Sequence, residues 1–241
     1  MEDLNLEEQI HSAGRDILLR AVADPALTAD LALALLKRAD LPGDVLEQLA
    51  KHPSALKLRK VKIALACHPR APRHLSVPLI RQFYSFDLMK AALSSIVPAD
   101  VKRTADEILI ARLKTITLGE RLTLARQAST RIAGALLLDP ETRVLRAALE
   151  NSRLTEVYVV EAVLKPSASM ALIQAVSRHV RWSCRRDVQI ALLRTKHLSL
   201  ARALAFARGI PLPQLREILQ ASRLPAKIKN QLLREGQKNP R

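Results

Sequence analysis

Catalysis and metal binding need particular side chains at particular spacings, and the six histidines, two cysteines and twenty-three carboxylates of this chain offer few such sets. The densest grouping of potential ligands is Cys67, His68 and His74. A tetrahedral site needs three or four converging donors. Cys67 precedes a turn and no carboxylate lies nearby, so His68 and His74 read as turn residues on a solvated face, and no metal is expected. Asp106 and Glu107 are adjacent carboxylates, but consecutive positions on a helix diverge by about 100° and cannot act as a working pair. They read as surface charges. Cys67 and Cys184 sit far apart inside apolar patterns, which fits buried free thiols and neither a disulfide framework nor a metal knuckle. The chain has no Gly-rich phosphate loop, Cys-x-x-Cys pair, His-Glu-x-x-His helix or Gly-x-Ser-x-Gly elbow. It is expected to be non-enzymatic, with no cofactor and no small-molecule substrate.

What remains is positive charge. The net charge is +16, and it is unevenly placed. Residues 1–53 hold five Lys/Arg against ten Asp/Glu; residues 54–165 hold nineteen against ten; residues 166–241 hold fifteen against three. Arginine outnumbers lysine 26 to 13, and the planar guanidinium is the better donor for bidentate contact with phosphate. The candidate contact residues are Arg59, Lys60, Lys62, Arg121, Arg143, Arg146, Arg178, Arg181, Arg185, Arg186, Arg194, Lys196 and Arg202, densest from Arg178 to Lys196. They imply a DNA or RNA backbone as partner, with an acidic protein as the alternative. A competing reading makes one arginine per repeat a structural ladder between helices. Aromatics are only 2% of the residues, which argues against recognition of single strands by base stacking. If the dense patch meets phosphate, reversing Arg178, Arg181, Arg185 and Arg186 to Glu should abolish binding and leave the fold intact, provided those side chains are solvated.

The elements that position these side chains are helices. Leu, Ala and Arg dominate every stretch, with only six glycines in 241 residues, which is helix-forming composition poor in strand formers. Turn or cap residues recur at Pro42, Pro72, Pro98, Ser129, Thr155, Ser183 and Pro211, about every 28 residues, which is room for two helices of ten to twelve residues and two turns. The segments pair as 3–22 with 26–38, 43–51 with 54–67 across Pro53, 73–84 with 86–96 across Ser85, and 98–115 with 118–128. After these come 155–164 with 168–180, 183–195 with 199–207, and 211–220 with 225–235. Thr117-Leu118-Gly119-Glu120 fits a capping box, and Asp139-Pro140-Glu141 places a cap, an N1 proline and an acidic N2 residue in order. In 98–115, Val101, Ala105, Ile108, Leu109 and Leu113 form an apolar stripe. Helices this short are marginal alone and must be stabilised by stacking. The expected fold is an all-α solenoid, a superhelix of about seven to eight helix-pair repeats of roughly 28 residues. The whole of 1–241 is expected to form one elongated domain, acidic over 1–53 and basic over 54–241. No signal-like leader and no apolar run of about 18 residues is present, so a cytoplasmic protein without membrane contact is expected.

The stretches DPETRVLRAALENSRLTEVYVVEAV (139–163) and LACHPRAPRHLSVPLI (65–80) resemble the HEAT-like and leucine-rich-variant repeat families. The resemblance implies an α-solenoid. The iron–sulfur cluster of some leucine-rich-variant proteins is not implied, because the cysteine cluster is missing. HEAT-like alkylpurine DNA glycosylases are also similar in size and basicity, and use aromatics and a carboxylate in a DNA-facing groove. Here Trp182 and Asp187 are not clearly on one face, and Trp182 reads as a packing residue. Circular dichroism should therefore show mostly helix, with strand content well below the globular average of about a fifth.

Overall fold

In the computed structural model, residues 5–52 and 55–238 are described, and among them the chain forms eighteen α-helices, one 3-10 turn and no strand. Residues 1–4 and 239–241, and Pro53 with Ser54, lie outside the described residues. By packing the chain divides into two units, one through Arg112 and one from Leu113. The first contains α1 (Leu6–His11), α2 (Arg15–Ala23), α3 (Ala29–Leu36), α4 (Gly43–Lys51), the 3-10 turn Ala55–Lys57, α5 (Arg59–Ala66), α6 (Arg73–Ile80), α7 (Ser85–Leu93) and α8 (Ala99–Arg112). The second contains α9 (Leu118–Gln127), α10 (Thr130–Leu136), α11 (Thr142–Leu149), α12 (Glu156–Leu164), α13 (Met170–Arg178) and α14 (Val180–Ser183). It continues with α15 (Arg186–Leu193), α16 (Leu200–Ala207), α17 (Leu212–Gln220) and α18 (Ala226–Lys238). Among the described residues no helix is long and apolar enough to cross a membrane.

The helices start where the caps predict. Pro42, Pro72 and Pro211 are N-caps, and the Ser129 hydroxyl accepts from the Ile132 amide. The Thr117–Glu120 capping box forms reciprocally: Thr117 Oγ1 accepts from the Glu120 amide at 3.3 Å, and Glu120 Oε2 accepts from the Thr117 amide at 3.0 Å. Four starts differ. The single helix over 3–22 breaks into α1 and α2, because the Ser12 hydroxyl accepts the Gly14 amide and closes a local turn. Tyr84 is the N-cap of α7, and Ser85 is its first residue. At 139–141 the N-cap is Glu141; Asp139 instead accepts the Glu141 amide and pairs with Arg121. Ser183 ends α14, a one-turn helix that sequence periodicity misses, and the next helix starts after Arg185.

The core is aliphatic and follows the helical stripe. Val101, Ala105 and Leu109 of α8 are buried, while Ile108 and Leu113 are half-buried at its margin. In both units helices pack on their sequence neighbours and on the helix after next, as in α1 on α3, α2 on α4, α9 on α11 and α10 on α12. At the last of these contacts, a Cβ on Gly134 would stand 2.8 Å from Tyr158 Cδ1, so the approach of α10 to α12 depends on the missing side chain.

Polar links join segments about one period apart. Asn151 is buried; its amide donates to the Ala125 and Ala128 carbonyls at 2.8 and 3.2 Å, and its Oδ1 accepts from the Arg153 amide at 2.8 Å. His68 does the same with an imidazole: Nε2 donates to the Arg38 carbonyl at 2.7 Å and Nδ1 accepts the Arg70 amide at 3.2 Å. His52 links to the Asp24 carbonyl and the Ala55 amide. Ser222 donates to the Leu193 carbonyl and accepts from the Leu224 amide. Each residue satisfies a helix-end carbonyl that has no intrahelical partner while closing its own turn. His68 is thus a buried structural residue and not a solvated turn histidine. Asp106 is also buried, contrary to its reading as a surface charge, and Cys184 is exposed rather than buried.

The His68 geometry sets a pH dependence. Its Nδ1 must accept a backbone proton, so only the neutral ring fits, and burial holds its pKa below the ordinary value, reinforced by Arg70 and opposed by the Arg38 carbonyl and Asp40. A histidine whose folded pKa is depressed contributes fully above its unfolded pKa of about 6.5 and loses that contribution as pH falls. Urea midpoints should therefore drop between pH 7 and pH 5. His68→Asn, which installs the side chain that does this work at 151, should flatten that drop; an unchanged pH profile would refute the assignment.

Candidate nucleic-acid interface

The cations fall into two populations, and local geometry explains which is which. Helix C-termini carry partial negative charge on unpaired carbonyls, and a set of arginines reaches back to them. Arg38 donates to the Ile10 and Ser12 carbonyls at 2.9 and 2.6 Å. Arg70 reaches the Asp40 carbonyl, Arg112 those of Phe83 and Arg81, and Arg153 that of Gln127. Arg181 donates to the Asn151 and Leu154 carbonyls at 3.1 and 2.9 Å and stacks 4.2 Å over the ring of Trp182. A further set is neutralised by carboxylates: Arg15 with Asp44, Arg59 with Asp87, Arg73 with Asp100 and Arg121 with Asp139.

These contacts sort the thirteen sequence candidates. Arg59 and Arg121 are ion-paired, Arg181 is engaged by carbonyls, and Arg186 donates to Gln214 Oε1 at 2.9 Å. Lys62, Arg194 and Arg202 are half-buried, and the Arg194 Nε is buried without a partner among the described residues. Lys60, Arg143, Arg146, Arg178, Arg185 and Lys196 are exposed, and none of their side chains pairs with a carboxylate among the described residues.

Within the second unit the structure brings three candidates together. α11 presents Thr142, Arg146 and Leu149, and α13 presents Ala171, Gln174, Ala175 and Arg178, each set at helical spacing. Between these faces runs a groove of about 820 Å³, closed by His179, Val180 and Arg181. Its one lining carboxylate, Glu150, accepts from His179 Nε2 at 3.1 Å, while His179 Nδ1 accepts the Arg181 amide. The groove lining thus sets Arg146, Arg178 and Arg181 against the single carboxylate of Glu150, an excess of positive charge suited to an anion. Arg185, Arg186, Arg194, Lys196 and Arg202 do not line it. Sequence reasoning named Arg146, Arg178 and Arg181 but missed Thr142, Gln174 and His179. The i, i+4 pairs Thr142/Arg146 and Gln174/Arg178 are the signal that marks the two lining faces.

Trp182 is 2% exposed, and its Nε1 donates to the Leu149 carbonyl at 3.0 Å; Asp187 is exposed in the first turn of α15. The indole is therefore a packing group and is not offered to solvent. Among the described residues no three His, Cys, Asp or Glu side chains gather so as to hold a metal ion. Comparison with protein-family models, with curated proteins and with solved structures finds no match to this chain.

The reversal of Arg178, Arg181, Arg185 and Arg186 together would remove a structural residue, so the sequence-based expectation that it spares the fold is revised. Arg181→Ala should cost about 1–3 kcal/mol, because the Asn151 and Leu154 carbonyls in the turn between α11 and α12 lose a charged donor. Arg178→Ala should change stability by no more than about 0.5 kcal/mol. Urea denaturation of the two variants checks this contrast; equal losses would remove the distinction between the populations.

Proposed function

We propose that this protein is a non-catalytic helical scaffold that binds nucleic acid through phosphate contacts in the groove between α11 and α13. Each unit is read as a short α-solenoid of stacked helix pairs, in the manner of the HEAT-like and leucine-rich-variant repeats that its sequence resembles. Two regularities support that architecture: helices pack on the helix after next, and hydrogen bonds recur between residues 26 to 31 positions apart. The observation that carries the function is the pair Arg146 and Arg178, exposed, without an acidic partner among the described residues, and lining one groove. Phosphodiester oxygens match such guanidiniums bidentately, and Arg143, Arg185 and Lys196 of the same unit add exposed charge.

A second reading has its own support. Val180, 90% exposed, lines the same groove with Leu149, Ala171 and Ala175, and apolar lining beside arginines also suits an acidic protein segment. Binding of a DNA duplex, and its salt slope, separates the two. Five phosphate contacts release counterions with a log–log slope of about −4.5 on duplex DNA. Fluorescence anisotropy with a generic duplex should give that slope and little sequence preference. Replacing Arg146 and Arg178 by Glu should reduce it by about 2 and weaken binding, with the helical circular dichroism unchanged. A flat salt dependence, or affinity indifferent to that double reversal, would reject the nucleic-acid reading in favour of the protein partner.

A further inference from the structure

Aromatic side chains are scarce here, so where they are exposed carries information. Phe83, Phe206 and Trp182 are buried, and Tyr158 is half-buried. Tyr84 and Phe86, 67% and 39% exposed, stand two positions apart at the start of α7. The Tyr84 ring is held from one side. The Arg59 guanidinium lies 4.5 Å from its centroid, and that guanidinium is itself fixed by Asp87, whose Oδ2 accepts from Arg59 Nε at 2.9 Å. Leu58, next to Arg59 in the chain, is 51% exposed. Lys57 and Lys60 flank this pair in sequence, and both are exposed and unpaired among the described residues.

We propose that this patch of the first unit is a stacking site for an unpaired base of single-stranded nucleic acid, with Tyr84 as the platform and Lys57 and Lys60 as contacts for the adjoining phosphates. Base–aromatic stacking tolerates any base, and a cation on the far face of the ring strengthens it. The Asp87–Arg59–Tyr84 chain fixes the ring before the ligand arrives, so little side-chain freedom is lost on binding. Exposed Tyr and Arg also occur at protein interfaces. Two exposed lysines without acidic partners among the described residues, each within two positions of Arg59 in the chain, favour a ligand that carries both π faces and regular negative charge. The scarcity of aromatics argues against many stacking sites along the chain, and one site needs only one platform.

The inference takes its ligand class from the preceding reading and rests on it, but the site is a different one. The full-length protein would be titrated with oligothymidylate of roughly ten nucleotides, within the usual range of single-strand sites, and with an abasic phosphodiester strand of the same length and charge. The thymidylate should bind about tenfold more tightly. Tyr84→Phe should keep that difference. Tyr84→Ala should erase it while leaving abasic affinity and the urea midpoint unchanged, since the ring is on the surface. Equal affinity for the two strands, a difference that survives Tyr84→Ala, or no binding of either strand overturns the proposal, and the first result would hand the patch to a protein partner. Failure of the groove reading is seen separately, as abasic affinity unmoved by the Arg146→Glu and Arg178→Glu pair.

Discussion

A helix of eight or nine residues ends almost as soon as it begins, so a large share of its carbonyls have no partner inside it. Such helices are also marginal alone. In this chain both problems meet the same device: a side chain about one period further on donates to the exposed carbonyls and ties the next segment to the last. Arg38, His52, His68, Asn151, Arg181 and Ser222 all act this way. The aliphatic core supplies most of the attraction between helices, but it is non-directional. The polar links give the stacking its register, because each admits only one pairing of helix end and donor.

That device also divides the arginines. Net charge and an isoelectric point near 10.6 describe a basic protein, yet a guanidinium on a helix-end carbonyl or clamped by a carboxylate such as Asp87 or Asp139 has little left to offer a ligand. The groove between α11 and α13 differs because the two helix faces that form it contribute Arg146 and Arg178 and no carboxylate of their own. Whether an arginine is structural depends on whether the fold brings an acceptor within its reach, 28 residues away for Arg59 and 18 for Arg121. Composition does not contain that information.

Much of the framework was legible because its signals are local. Pro42, Pro72, Pro211, Ser129 and the Thr117–Glu120 box announce helix starts through the backbone of one turn, and the Val101–Ala105–Leu109 stripe names a buried face. The misses came where a distant group decides. Asp139 has the sequence of an N-cap but faces Arg121, and His68 reads as a turn histidine until the Arg38 carbonyl is placed beside it. Asp106 was read as a solvated charge, yet it follows Ala105 and stands three positions before Leu109, at the edge of that stripe, and it is buried. Some of this was readable after all: His68 and Asn151 each stand four residues before an N-cap, at Pro72 and Thr155. For the candidate site, residue types were legible and their convergence was not, since Arg146 and Arg178 meet only once α11 is laid against α13.

The linking position is chemically permissive. Imidazole, carboxamide and hydroxyl groups all fill it here, in His68, Asn151 and Ser222, because each combines one donor with one acceptor at a suitable reach. Under mutational drift such a position can exchange one residue type for another while the geometry persists. The constraint such a bond places on the chain therefore falls on spacing and reach more than on residue type.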